Sequence, residues 1–436
     1  MKKICMLLCC IALLAGCVSR KQDETGKAGG EPQKQGASND ELQLKKWWLH
    51  SLSQGDGNAQ GFYRLKTIDN GGGQLYSNIL YTDYENKKEI YLCDKPECQH
   101  RDTSCTSYYA GLDMVTQLIV HQNHLYLIAN EDSTVNEKNE LVTMPARILQ
   151  MDLDGKNRKE LLQLPSGYSF SYEGIAVAGD VLYTQIEKTE NVSTGQGEMS
   201  SAVQVVREKK LYAIQLNSGK RKAVADMKNK SILGCMGRSL IVNAYRYKED
   251  PDQLLDKGDF EGYERVSQQA EIAYERINVD SGRVEKSFPT AADVLGIFVN
   301  DSIYYTDNSG MKQLNMKDGK TRDRKQLNDP MATLMFGEDD HLYLYMGEKE
   351  YVYSLKDDRL TPFTLTLSDT QEPIRLLGET KDMYYVIYDQ TGEVKKTWAG
   401  TDQYEASSYS YGLMKKKDYW NSKANYTPVD VIAKGE

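Results

Sequence analysis

From Ile303 to Lys320 the chain reads IYYTDNSGMKQLNMKDGK: a branched-aromatic run, the polar turn Asn308-Ser309-Gly310, an alternating stretch and an Asp-Gly pair. Strand-forming residues on either side of a tight-turn sequence predict two antiparallel strands, and Asp-Gly predicts a hairpin into a further one. The pattern recurs as ILYTDYENKKEIYL, HLYLIAN with ILQMDLDGKNRKEL, VLYTQIE with LYAIQLNSGKRKAV, SLIVNAY with AYERINVDSGRVEKS, HLYLYMG with VYSLKDDRLTPF, and MYYVIYD with YGLMKKKDYW. An apolar strand precedes each unit, for example LIVH before Leu125, GIAVAG before Leu182 and TLMFG before Leu342. The repeating unit is therefore a four-stranded antiparallel blade, and radial repetition of such blades is an all-β propeller. Hairpin turns near Asn86, Gly155, Gly219, Gly282, Gly319, Asp358 and Lys417 give seven blades, with six or eight as the alternatives.

Some blades depart from the compact repeat, always between their second and third strands. Extra residues occupy Glu131 to Pro145, Glu187 to Glu208, Lys248 to Ala270 and Asp389 to Ser408, in blades two, three, four and seven. In an up-and-down blade this connection leaves on the same side as the link from the fourth strand to the next blade. The insertions are thus expected on one face, where loops on a rigid scaffold present binding residues. Phe260, Tyr263, Trp398 and Tyr404 are the candidate contact residues there. The acidic run around Asp250, Asp252, Asp256 and Asp259 lacks the spacing of an EF-hand and reads as a solvated loop or short helix.

Residues 1–16 stand outside this pattern. Lys2 and Lys3 precede ICMLLCCIALLAG, which is short for a membrane span of about 20 residues and ends in Leu14-Ala15-Gly16-Cys17. This run resembles a bacterial lipoprotein signal with its lipobox, which implies cleavage before Cys17 and lipidation of that cysteine. An ordinary secretory signal or an anchor helix is the alternative. From Ser19 to Glu41 no large apolar residue occurs, so residues 17–41 are read as a lipidated cysteine and disordered tether, and residues 42–436 as one propeller domain.

A formal net charge of −9 disfavours a nucleic-acid partner, whose affinity would rest on cations facing phosphates. The 30 tyrosines against 7 Phe and 4 Trp suit half-buried strands with rings packed and hydroxyls toward polar partners.

One segment carries candidate chemistry: Cys93, Cys98, His100 and Cys105 lie in LCDKPECQHRDTSC. Three thiols and an imidazole are a donor set for tetrahedral Zn²⁺, and four protein ligands would leave no open position, so such a metal would be structural. Export to an oxidising compartment makes disulfides among Cys93, Cys98, Cys105 and Cys235 the competing reading, with free thiols as the third. The segment ends the fourth strand of blade one and is expected on the insertion-bearing face. No G-x-S-x-G, P-loop or H-E-x-x-H occurs, and His121, His124 and His341 fall at strand turns, so no catalytic residue is assigned.

The repeat, clearest in Ile303-Tyr304-Tyr305-Thr306-Asp307, resembles the YWTD-type propellers of the low-density lipoprotein receptor, with Tyr in place of Trp. With the lipobox, LYTDYENKKEIYLCDKPECQH and LMKKKDYWNSKANYTPV, the chain resembles bacterial surface lipoproteins that carry an uncharacterised propeller of this type. The resemblance implies a fold and a location: a cell-membrane, lipid-anchored protein on the extracytoplasmic side. The expected function is non-enzymatic binding of a protein, peptide or glycan through the loop-rich face. The alternative is a polysaccharide hydrolase or lyase acting at the same face.

Overall fold

The computed structural model describes residues 41–45, 55–69, 75–135, 141–194, 201–290, 296–397 and 400–432. The signal segment, Cys17, the tether before Glu41, and Trp398 lie outside the described residues.

Seven antiparallel sheets, each built on four strands in chain order, form the blades of a propeller, spanning residues 55–91, 116–163, 175–226, 230–290, 297–325, 333–362 and 375–429. Each blade is a meander whose first strand lies nearest the axis and whose fourth lies at the rim. Both faces of the inner strands are buried against neighbouring blades, so those strands read as nearly continuous apolar runs, whereas the fourth strands, such as Arg221–Asp226 and Thr321–Lys325, are largely exposed and polar. In blade three, Leu182 and Ile214 pack toward blade two, while Tyr183 and Leu211 on the opposite side pack toward blade four. The pleat sends alternate residues to alternate neighbouring blades.

Each glycine-containing hairpin between strands three and four leans on the outer strand of the preceding blade. A Cβ on Gly282 would stand 1.9 Å from the Val224 carbonyl oxygen, and its φ of +69° is left-handed. Gly219 meets the Leu161 carbonyl in the same way, at 1.8 Å. Gly282→Ala should therefore destabilise the domain by at least ~1 kcal/mol, through left-handed strain and backbone overlap together. A urea midpoint equal to that of the unchanged protein would contradict this.

The last blade departs from the predicted hairpin. Lys416–Trp420 is a short helix, and the fourth strand, Thr427–Val429, follows it. Its two adjacent aromatics, Tyr419 and Trp420, are both buried, whereas adjacent residues of a strand would face opposite ways. Trp420 stacks on His341 at 4.8 Å, and Tyr419 packs edge-on to Tyr384, so this helix fills the junction between blades six and seven. Burial holds the His341 imidazole below its ordinary pKa, against the opposing pull of Asp340, Asp339, Asp357 and Glu338. The unfolded chain binds that proton more readily, so this site's stability is present above about pH 6.5 and is lost as pH falls through the lower folded value. The drop in melting temperature between pH 7.5 and 5.5 should be smaller in His341→Asn; an equal drop would remove His341 from the acid response.

Among the described residues, the ring closes between blades one and seven without exchanging strands. Asp430 extends beyond the last strand to bridge Lys88, and the Glu89 amide donates to its carbonyl at 2.7 Å. Behind this clasp lies a buried ion pair: Arg64 Nε and Nη2 donate to the two carboxylate oxygens of Glu89 at 2.7 and 3.0 Å. The same guanidinium lies 5.2 Å from the Tyr411 ring of blade seven.

One further strand, Gln43–Lys45, lies inside the innermost strand of blade three, Ile175–Ala178, and runs antiparallel to it. Leu42 and Leu44 are buried there.

Candidate metal centre and insertion face

The fourth strand of blade one is split. Lys88–Tyr91 pairs with residues 80–83 of the third strand, and Tyr108–Tyr109 resumes the same edge opposite residues 77–78. The chain between them leaves the sheet and returns through a narrow neck, closed by the Thr106 hydroxyl donating to the Leu92 carbonyl at 2.6 Å. Left-handed backbone at Glu97 and His100 turns the excursion back on itself. Inside it, ligand atoms of Cys93, Cys98, His100 and Cys105 all lie within 4.8 Å of one another.

His100 Nδ1 is 3.2 Å from Cys105 Sγ, and its ring stacks on Tyr91 at 4.1 Å. The Ser107 amide also donates to Cys105 Sγ, at 3.4 Å. Cys105 is buried and the other three are half-buried. Burial keeps His100 below its usual pKa, hence neutral and able to offer a lone pair. Burial pushes the Cys105 thiol up to about 11, and hydrogen bonding to Cys93 and Cys98 adds to this. At Cys93 burial acts in the same upward direction, but the Lys95 amide and hydrogen bonds from Cys105, Cys98 and Thr106 outweigh it, and the thiol is held below its usual value.

A tetrahedral ion with Zn–S bonds of about 2.3 Å places its sulfurs about 3.8 Å apart. The observed donor set fits that polyhedron after small side-chain adjustments, and its three sulfurs and one nitrogen match a soft-to-borderline divalent ion. The quartet of Cys93, Cys98, His100 and Cys105 is thus assembled as the spacing suggested. Cys235 belongs elsewhere: it is buried on the inner strand of blade four, and its thiol donates to the Leu42 carbonyl at 3.2 Å.

The placement of the quartet corrects the sequence expectation. It is at the outer rim, beside the three–four hairpin of blade two, and not on the insertion-bearing face. Lys156 of that hairpin pairs with Asp94 at 2.8 Å, and Arg158 donates to the carbonyls of Thr106 and Tyr108. The reason is the split strand: the excursion starts halfway along the blade edge, before the chain has reached the far face. What the quartet joins is the outer edge of blade one to the turn of blade two.

The insertions do share one face, though their form differs from simple loops. Those of blades three and seven are strand extensions, Val181–Thr194 with Ser201–Gln215 and Met383–Lys396 with Asp402–Lys415. Blade two adds a small hairpin, Asp132–Val135 with Leu141–Met144. Blade four adds two helices, Pro251–Asp256 and Phe260–Gln268. The acidic run is explained by these helices, because the Asp250 and Asp259 carboxylates accept amides of their first turns and Pro251 sits at the first position. Arg207 on the blade-three hairpin pairs with Asp256 at 2.5 Å, which joins the two neighbouring insertions, and Lys228 in the link between the two blades pairs with Asp252 at 2.7 Å.

Phe260 and Tyr263 are exposed on the second helix. Tyr404 is half-buried and donates to Asp369 at 2.8 Å. Near the start of the innermost strand of blade three, Lys209 pairs with Glu173 at 2.6 Å, and Glu187 stands directly opposite Lys209 in the hairpin. Burial raises the Glu187 carboxyl above its ordinary value. Sequence reading missed this group, because its members are far apart in the chain and none sits in a motif.

No family model matches the chain, and no curated protein matches it. Among solved structures it is similar to Pyrococcus horikoshii acylaminoacyl peptidase, at 14% identity over 68% of this chain and 44% of that one, with a TM-score of 0.37. It is also similar to the β-propeller domain of the Trilobed protease from Pyrococcus furiosus, at 13% identity over 69% and 89% of the two chains and a TM-score of 0.35. BamB from Moraxella catarrhalis aligns at 8% identity over 76% and 80%, with a TM-score of 0.32. The chain spans less than half the length of the peptidase it matches. The propeller assignment rests on the strand pairing above, and these likenesses add nothing about activity.

Proposed function

We propose that this chain is a membrane-tethered, non-enzymatic propeller that binds an extracytoplasmic protein, peptide or glycan through its insertion-bearing face, with a structural zinc at Cys93, Cys98, His100 and Cys105. The observation that carries the metal assignment is the convergence of four donors within 4.8 Å at the tip of an excursion that leaves a strand and rejoins it. Zinc there would neutralise thiolate charge and fasten the rim; Thr106 and Leu92 close the neck, and Lys156 holds Asp94 from the adjacent blade. The binding reading is supported by the joined insertions and by the exposed Phe260 and Tyr263 on their outer surface.

Anchoring is tested separately. Two acyl chains at about 0.8 kcal/mol per buried CH₂ suffice for stable membrane attachment. Cys17→Ala should move the protein from the membrane fraction to the soluble one, and an unchanged distribution would contradict lipidation.

The second reading, a polysaccharide hydrolase or lyase, draws on Glu173 and Glu187 facing one lysine. Lys209 pairs with Glu173 at 2.6 Å, and burial raises the Glu187 carboxyl above its ordinary value against the opposing pull of Lys209. Turnover of a polysaccharide that Glu187→Gln abolishes without unfolding the domain would favour the enzyme over the binder.

A further inference from the structure

The N-terminal strand fixes which way the propeller faces. Leu42 donates its amide to the Gly237 carbonyl at 3.0 Å, in the turn between strands one and two of blade four. Gln43 then pairs with Val177 and Lys45 with Ile175, so the strand runs from the level of those turns toward the insertion side. Lys45 reaches round to the next two blades, donating to the Val120 carbonyl of blade two and pairing with Asp56 on the innermost strand of blade one at 2.8 Å. The chain thus comes in on the face made by the one–two and three–four turns and is held by blades one to four. The preceding residues, back to Cys17, are attached at that face.

Two further observations agree. The blade-three and blade-seven hairpins have strands of 14 and 15 residues where the compact blade five has six, an extension of roughly 25 Å at about 3.3 Å per residue. A bilayer on the insertion side would have to clear those hairpins, whereas the opposite face is made of the blade turns. Charge points the same way: the four insertions carry 19 Asp or Glu against 8 Lys or Arg, whereas the turns of the opposite face carry 12 against 13. An anionic bilayer repels the first surface and tolerates the second.

We infer that the turn face is the membrane-facing surface of this propeller, with Leu42–Lys45 as an axial stem, and that the insertion face is presented away from an anionic phospholipid bilayer. This rests on lipid anchoring at Cys17. The test uses the full lipidated protein in phosphatidylcholine–phosphatidylglycerol vesicles carrying headgroup acceptor dye, with a donor amino acid incorporated at Asn123 on the turn face or at Phe260 on the insertion face. Energy transfer should be several-fold greater from position 123 than from 260. Equal or reversed transfer in protein that still needs Cys17 for vesicle binding would overturn the orientation and leave the anchor standing. Vesicle binding that Cys17→Ala leaves intact would instead overturn the anchor. The stem is checked without any membrane: Leu44→Cys with Ala176→Cys, cross-strand partners, should form a disulfide that peptide mapping locates. Failure of that bond to form in folded protein would overturn the stem.

Discussion

Replacing Glu89 with alanine should cost about 3–5 kcal/mol, because it leaves the Arg64 guanidinium buried at the seam of the ring without its counter-charge. The pair is bidentate, at 2.7 and 3.0 Å, and the side chains are only 7% and 0% exposed, so water cannot take the carboxylate's place. Among the described residues the seam also lacks a shared strand. Blade one is built wholly from the beginning of the domain and blade seven wholly from its end. What joins them includes the Asp430 clasp, Phe62 against Tyr385 at 5.5 Å, the Thr82 hydroxyl donating to the Tyr385 hydroxyl at 3.3 Å, and Arg64, which Glu89 holds within blade one, over Tyr411. Chemical denaturation should show the loss as a lowered midpoint, with hydrogen exchange rising first in residues 61–91 and 411–430. The double variant Arg64→Met with Glu89→Leu should recover much of the stability, since removing both charges abolishes the desolvation cost. A Glu89→Ala protein within 1 kcal/mol of the original would mean that solvent reaches the pair.

Cys98→Ser should lower bound zinc from near one per chain to well below half, and His100→Ala should do the same. Each removes one of four donors, and thiolate is a far better zinc ligand than a hydroxyl. The domain should stay folded in both, because the cores lie between blades and the one beside the excursion takes only Leu92 and Tyr109, at its two ends, from that segment. The effect should be local: faster exchange and proteolysis across residues 92–108, with loosened contact between that excursion and the Lys156 hairpin. In this the site differs from small zinc domains, where metal binding and folding are one event. A variant that lost zinc and unfolded globally would show that the rim is needed to hold blades one and two together. If the cluster holds disulfides instead, His100→Ala should change little, and a reductant rather than a chelator should loosen the rim.

Much of the architecture was legible because blade strands alternate and their turns carry Asp-Gly or Ser-Gly, so local chemistry and global position agree. The insertion sites were legible too, as interruptions of a fixed interval. Extension of two insertions as strands had a faint signal in the alternation of VQVVREKK before Leu211, but their polar composition reads equally well as loop. The helix at Lys416–Trp420 was missed because KKKD lies where other blades turn; the clue was its lack of glycine and the adjacent Tyr419 and Trp420. The stem Leu42–Lys45 offers only two alternating leucines, too few to indicate a strand, and pairing across more than a hundred residues leaves no local trace. The quartet was visible as residue types at short spacing. Its place on the rim was not, because that depends on Tyr108–Tyr109 resuming a strand already begun at Lys88. The Arg64–Glu89 pair and the Glu173–Lys209–Glu187 group depend wholly on tertiary placement.

The measurement that bears most directly on this account is metal content together with thiol reactivity in the mature protein, purified without chelator or reductant. The zinc centre predicts near-stoichiometric zinc, with Cys93, Cys98 and Cys105 alkylated only slowly until a chelator is added and rapidly afterwards. Metal-free protein whose cluster thiols stay unreactive to alkylation until reductant is added would contradict it and establish disulfide chemistry at the rim.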